Sequence, residues 1–193
     1  MPGDQPTIQA GIDAVVNGDD IEADPGIYLE TIDFLGKSIT VRSVSGDPND
    51  TIIDGTGFDT HLVTCTSGED PNTVLAGFTI TGGNANGAAG CPGQCGGGML
   101  CDGTSPTLIN AIIKNNTPNG VINSGGVTTM TYSIIHGGFI GVGNFDTDPL
   151  FIDADGADDT IGTADDNLAP AGHLPGNRRR RHHRRTGAKW LRP

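Results

Sequence analysis

Thr73-Val-Leu-Ala-Gly-Phe-Thr-Ile-Thr-Gly-Gly83 is the stretch that decides how this chain folds. Its apolar residues are short, β-branched or aromatic, and they alternate with Thr and Gly before a Gly-Gly-Asn stop. Branched side chains of this kind pack on a pleated surface, so the run predicts a strand with a turn at its end. The pattern returns as Thr107-Leu-Ile-Asn-Ala-Ile-Ile-Lys-Asn-Asn116 and as Thr128-Thr-Met-Thr-Tyr-Ser-Ile-Ile-His-Gly-Gly138. Ile113 to Ile135 is a step of 22 residues, and Ile80 to Ile113 is 33, one such step plus a Gly-rich insert. A second phase lies between them: Gly96-Gly-Gly-Met-Leu-Cys-Asp-Gly103 answers Asn119-Gly-Val-Ile-Asn-Ser-Gly-Gly126. A fixed period of this length marks a solenoid, in which each unit buries its apolar face only against its neighbours.

Composition agrees with that architecture. Length predicts one domain. Gly supplies 31 of the 193 residues and aromatics only 5%, too few large side chains for an ordinary globular core. Thin stacks of Val, Ile and Leu with Gly and Asn at the corners need no more. Asn110, Asn115, Asn116 and Asn123 are expected to stack as corner ladders, amide to amide.

The charge is divided along the chain. Up to Gly176 three basic side chains, Lys37, Arg42 and Lys114, stand against 23 acidic ones, a net −20. The other 8 Lys and Arg fall between Arg178 and Arg192. So acidic a body repels nucleic acid and anionic polysaccharide, and it points to extracellular life or to divalent cations. No run of 18 apolar residues is present to cross a membrane. Met1-Pro-Gly-Asp-Gln-Pro6 has neither the charged start nor the apolar centre of a signal peptide, which for an exported chain predicts a clipped or misassigned N-terminus.

In chain order, Ile8, Ile12, Val15 and Val16 recur at helical spacing, with Pro6 at the entry and Asn17-Gly18 as the stop. A helix over about 6–17 would cover the open end of a stack whose strand edges are otherwise unpaired. Strands are predicted at 20–23, 39–42, 51–54 and 61–66. Residues 83–98 collapse to Gly, Ala, Asn and Cys and predict a loop bulging from one corner. Residues 145–152 are expected to close the stack. After Asn167-Leu168 the charge reverses abruptly through Arg178-Arg-Arg-Arg-His-His-Arg-Arg185. A frameshift at or soon after Leu168 accounts for this; a basic nucleic-acid or membrane tail is the rival reading. Either way, disorder is expected from Pro170 onward.

These stretches closely resemble the right-handed parallel β-helix repeat (pectin-lyase-like) proteins, especially the large secreted bacterial ones with Gly-Phe-Thr-Ile-Thr and Ser-Pro-Thr-Leu coils. Residues 6–19 look like the family's capping helix and its turn into the first strand. Pro25-Gly-Ile-Tyr-Leu-Glu30 and Gly36-Lys-Ser-Ile-Thr-Val-Arg42 look like its first coils, and Asp148-Pro-Leu-Phe-Ile-Asp-Ala-Asp-Gly156 like its closing segment. The resemblance covers about 3–168. It implies an all-β fold, a right-handed single-stranded parallel β-helix of six or seven coils with an N-terminal helical cap, and a home outside the cell or on its surface.

Activity is less clearly written. Pectate lyases of this fold pair Ca²⁺-binding Asp residues with a basic residue that removes a proton. Lys37 and Arg42 belong to the entry coils, where solvating a surface is the simpler role. Polygalacturonases carry Asn-Thr-Asp, Asp-Asp, Gly-His-Gly and Arg-x-Lys, and none of these constellations is present. Asp158-Asp159 and Asp165-Asp166 are paired carboxylates in the terminal loop, whereas hydrolysis needs two carboxyls fixed across one bond. His61 and His136 each stand alone at a strand end, where a corner or surface histidine is expected.

Eight Asp fall within 21 residues from Asp146 to Asp166. Asp153-Ala-Asp-Gly156 has the alternating oxygens and Gly turn of a hard-cation loop, so Asp153, Asp155, Asp158, Asp165 and Asp166 are the candidate Ca²⁺ ligands. A solvated acidic turn is the plain alternative. Cys91-Pro-Gly-Gln-Cys95 is a poor zinc half-site, and in an exported chain a Cys91–Cys95 disulfide is the candidate. Cys101 and Cys65 are expected as small buried residues. The expected function is non-catalytic: a structural or recognition domain binding carbohydrate or a cell-surface component along one exposed sheet. A Ca²⁺-dependent polysaccharide lyase or glycoside hydrolase is the alternative, and a truncated fragment of a larger protein is the third reading. An uncapped last coil would also self-associate through its C-terminal edge.

Overall fold

The computed structural model describes residues 5–86, 95–147, 151–153 and 167–170, the last two segments by backbone alone. One short helix, α1 (Ile8–Ala14), precedes strands that recur in a fixed order. The first pass is β1 (Asp20–Ala23), β2 (Gly26–Leu29) and β3 (Ile32–Asp33). The second is β4 (Thr40–Ser43), β5 (Thr51–Asp54) and β6 (Val63–Cys65). The third is β7 (Val74–Ala76), β8 (Thr79–Thr81) and β9 (Gly96–Asp102), and the fourth β10 (Thr107–Ile109), β11 (Ile112–Ile113) and β12 (Asn119–Ser124). The partial fifth is β13 (Thr129–Thr131) and β14 (Ile134–Ile135). A final hairpin pairs β15 (Phe151–Asp153) with β16 (Asn167–Pro170).

Each pass gives one strand to each of three parallel sheets. Sheet A is ordered β1-β4-β7-β10-β13, sheet B β2-β5-β8-β11-β14 and sheet C β3-β6-β9-β12. Four passes and part of a fifth lie among the described residues, against the six or seven expected. In sheets A and B the register steps from the third pass onward are steps of the sequence repeat. Leu108 pairs with Met130 and Ile112 with Ile134, both 22 apart, while Leu75 pairs with Leu108, 33 apart.

This register turns the pattern into continuous apolar columns. Ile21, Val41, Leu75, Leu108 and Met130 stack inward from sheet A. Ile53, Ile80, Ile113 and Ile135 stack inward from sheet B, and Ile32, Val63 and Met99 from sheet C. Phe34 and Phe78 fill corners and are fully buried. Each burial removes apolar surface from water at roughly 25 cal/mol per Å². No single pass could close a core alone.

The stretch 73–83 is two strands, where its alternation reads as one. β7 and β8 belong to different sheets, joined at Gly77, whose φ of +80 makes the corner. Asn110 and Tyr132 hold the equivalent corners with φ of +52 and +54. Strand period alone could not place this corner, because Leu75, Phe78 and Ile80 all face inward across it. The expected Asn ladders are likewise replaced. Asn110 and Asn115 serve through left-handed backbone, and only Asn116 is buried. Asn116 accepts from the Gly83 amide and donates to the Ile80 and Lys114 carbonyls, at 2.8, 2.9 and 2.9 Å. Asn123 bonds within its own loop, to the Gly126 carbonyl.

Other boundaries move slightly. The helix stops at Ala14, and Val16, expected on its apolar face, is 68% exposed. Gly96, Gly97 and Gly98, expected in the loop, form the start of β9. A side chain at Gly97 would run into the Gly83 and Thr117 carbonyls, so this close crossing requires glycine. β9 and β12 pair with a bulge: Met99 meets Val121, but Gly96 meets Asn119. Phe145 forms a parallel bridge to Ile134, while β15 pairs only with β16 and joins none of the three sheets. Pro170, where disorder was expected to begin, ends β16, while the rest of the tail and residues 87–94, half of the insert, lie outside the described residues.

Candidate functional site

Sheets differ in what their outer faces offer. Sheet B is roofed. The loop 44–50 folds back over it, with the Pro48 carbonyl accepting from Thr79 Oγ1 at 2.7 Å and the Gly46 carbonyl from Asn110 Nδ2 at 2.7 Å. Outward residues Ile52 and Thr79 are buried as a result. Sheet A is open. Its outward residues run in two in-register columns, Asp20-Thr40-Val74-Thr107-Thr129 and Glu22-Arg42-Ala76-Ile109-Thr131. All of these are exposed or half-buried. The first-pass end is charged: Arg42 contacts Glu22 at 2.7 Å and Asp20 at 3.9 Å. From the third pass on, the face is flat and uncharged, made of hydroxyls and short apolar groups.

The first basic residue has a different task from the one expected. Lys37 does not solvate a surface; its Nζ donates to the carbonyls of Ile12, Asp13 and Val15, at 2.6, 3.2 and 2.9 Å. It therefore caps the C-terminus of α1, where carbonyls lack helical partners and a cation is favoured. At the other end the Glu30 carboxylate accepts from the Ile8 and Gln9 amides at 2.8 and 2.9 Å. The Gln9 side chain exchanges two bonds with the Asp33 backbone. Thr7 completes the cap by accepting from the Ala10 amide. Ile8, Ile12 and Val15 are thus pressed over the first pass, and Gly11 lets the helix approach Ile21 closely.

The remaining cation, Lys114, stands 4.0 Å from Asp146, whose carboxylate also accepts from the Gly137 amide. Buried carboxylates elsewhere hold turns. Asp54 accepts from the Thr56 amide and hydroxyl. Glu69, 2% exposed, staples two passes by accepting from the Gly36 and Ser67 amides. His61 lies between β5 and β6, at a corner as expected, and is buried there, with Nδ1 2.8 Å from the Gly96 carbonyl. His136 is exposed as expected.

Among the expected Ca²⁺ ligands, Asp153 lies in β15, opposite Asn167, and Asp155, Asp158, Asp165 and Asp166 lie outside the described residues. Among the described residues no group of three or more His, Cys, Asp or Glu could hold a metal. Cys91 also lies outside them, while Cys95 is buried and its carbonyl accepts from Asn119 Nδ2. Cys65 and Cys101 are fully buried, as the sequence predicts, and they face each other in register across β6 and β9.

Sequence reasoning passed over Gln9, Glu30 and Glu69. Each bonds to a backbone group on a neighbouring element, 21 to 33 residues away, and nothing in local spacing marks such a partner. No helix among the described residues is long and apolar enough to cross a membrane. No family model, curated protein or solved structure matches the chain.

Proposed function

We propose that the chain is a right-handed parallel β-helix of the pectin-lyase-like type, serving as a non-catalytic structural or recognition domain outside the cell or on its surface. Three parallel sheets visited in constant order support the solenoid, and the strong chiral preference of parallel crossovers supports its hand. The open outer face of sheet A carries the functional reading. Thr129 and Thr131 present hydroxyls beside Val74, Ala76 and Ile109 on successive in-register strands, and the Thr107 hydroxyl, which donates to the Pro71 carbonyl, can still accept. Such a face suits an extended uncharged polymer that lies along the stack, each sugar meeting a hydroxyl and a short apolar patch. The acidic body disfavours anionic chains, so the partner we assign is a neutral polysaccharide.

Calorimetric titration of the full chain against neutral and acidic polysaccharides tests this. Neutral polymer should bind, and Ile109→Lys should weaken that binding at least tenfold while leaving the fold intact. Binding that survives both Ile109→Lys and Thr131→Lys would place the ligand elsewhere.

A second copy is the other partner we propose, at the C-terminal end of the stack. Tyr132, Ile140, Val142 and Phe145 are exposed there, Ile140 at 99%, Tyr132 at a corner of the last rung and the others just after it. Light scattering across a concentration series should reveal dimers or larger species; a clean monomer at high concentration would refute it.

A further inference from the structure

We propose that Cys65 and Cys101 are an oxidisable pair that closes a disulfide between the second and third passes. The two residues are direct register partners on adjacent parallel strands, and both side chains point into the dry interior. Neighbouring strands lie about 4.8 Å apart. That spacing falls within the roughly 4.4–6.8 Å Cα separation that disulfides span. No other pair of described cysteines shares a register position.

The surroundings favour chemistry between these two sulfurs. The Cys65 thiol is pushed up by its hydrogen bond to Cys101 and then by burial. Cys101 is drawn down by the same hydrogen bond. Once β6 and β9 are paired, Cys101 is therefore the readier thiolate of the two, and thiolates are the attacking species. Thr128 Oγ1 is buried beside Cys101 and has no oxygen or nitrogen partner. Its hydroxyl is free to donate to whatever charge develops on that sulfur. The Cys65 carbonyl, meanwhile, is held by the Thr104 hydroxyl at 2.8 Å, which fixes the strand end.

The oxidant is a low-molecular-weight disulfide such as oxidised glutathione, met while the chain folds and the site is still open. Cys65 thiolate attacks one sulfur while the site is open, forming a mixed disulfide and releasing one glutathione thiolate. As β6 and β9 pair, Cys101 thiolate attacks the Cys65 sulfur and releases the second. The cysteine pair loses two electrons, the glutathione disulfide gains them, and the two protein protons pass to the released thiolates. The closed loop runs from 65 to 101 and encloses β7, β8 and the whole insert. Loops of this length restrict the unfolded chain strongly.

The experiment is to refold the full chain from urea in a glutathione redox buffer, trap residual thiols by alkylation, and map peptides by mass spectrometry. The expected result is a peptide carrying Cys65 joined to one carrying Cys101, separable by reductant. The bridged protein should melt on the order of 10 °C above the reduced protein. Cys65→Ala should abolish that difference, and Cys91→Ser should leave it in place. Recovery of alkylated Cys65 and Cys101 after oxidative refolding would overturn the proposal. So would a bridge from either residue to Cys91 or Cys95, or a melting shift that persists in Cys65→Ala. None of these outcomes depends on whether sheet A binds a polysaccharide.

Discussion

The two ends of the stack meet the same physical problem and show different solutions. A parallel sheet exposes unpaired amides and carbonyls at each terminal strand, and the apolar columns between the sheets are laid open there too. At the N-terminal end, α1 lies over the columns and is gripped at both poles by one short segment. Glu30 holds its amides, Lys37 its carbonyls, and Gln9 ties its flank to Asp33. At the other end the chain begins another rung at Phe145, bridged to Ile134, and leaves Ile140, Val142 and Phe145 exposed. A cap needs charged residues placed one pass away, whereas the described residues at the other end show apolar side chains. That difference is what the association proposed for the C-terminal end rests on.

Breaking the N-terminal end should cost most. Ile12 is fully buried under the helix, so Ile12→Asp puts an unpaired charge into the core. We expect a loss of about 4 kcal/mol or outright unfolding in urea titrations. The matching Ile140→Asp, at a fully exposed position, should change stability by less than about 0.5 kcal/mol. Equal losses at both sites would end the comparison.

Lys37→Met keeps the aliphatic stem and removes three charge-assisted bonds. The expected loss is about 2 kcal/mol, with faster amide exchange confined to α1 and the first pass. Exchange that quickens equally in β10 to β14 would mean the cap is not local. Ile140→Ser combined with Phe145→Ser should abolish the association proposed for the C-terminal end and leave the melting temperature of the monomer nearly unchanged. The smallest effect is at Tyr28, whose hydroxyl donates to the Asp24 carbonyl at 2.7 Å. Burial, then the charges of Asp24 and Glu30, raises this phenol above its usual value of 10.0. Its contribution to stability is therefore fully present below the unfolded value and is lost as pH rises through the folded one. A phenolate titration of Tyr28 at or below its ordinary value would contradict this.

The sequence by itself determined the repeat and the fold class. Steps of 22 and 33 residues between Ile135, Ile113 and Ile80 are the same steps that the sheets take, because each apolar residue must sit above its counterpart to exclude water. The helix and its buried Ile8 and Ile12 were also legible, since helical spacing is local, whereas the Thr7 N-cap came only from the structure. The tertiary structure alone decided the corners. Gly77, Asn110 and Tyr132 share one left-handed position but not one residue type, so no motif marks them. It also decided which sheet is open, because the roof over sheet B comes from a loop that bonds Thr79 and Asn110, 31 and 64 residues from its own contact points. Lys37 and Glu30 became caps, and Cys65 met Cys101, for the same reason. A repeat fixes which residues stack, while charge and thiol partners depend on where each pass of the chain returns.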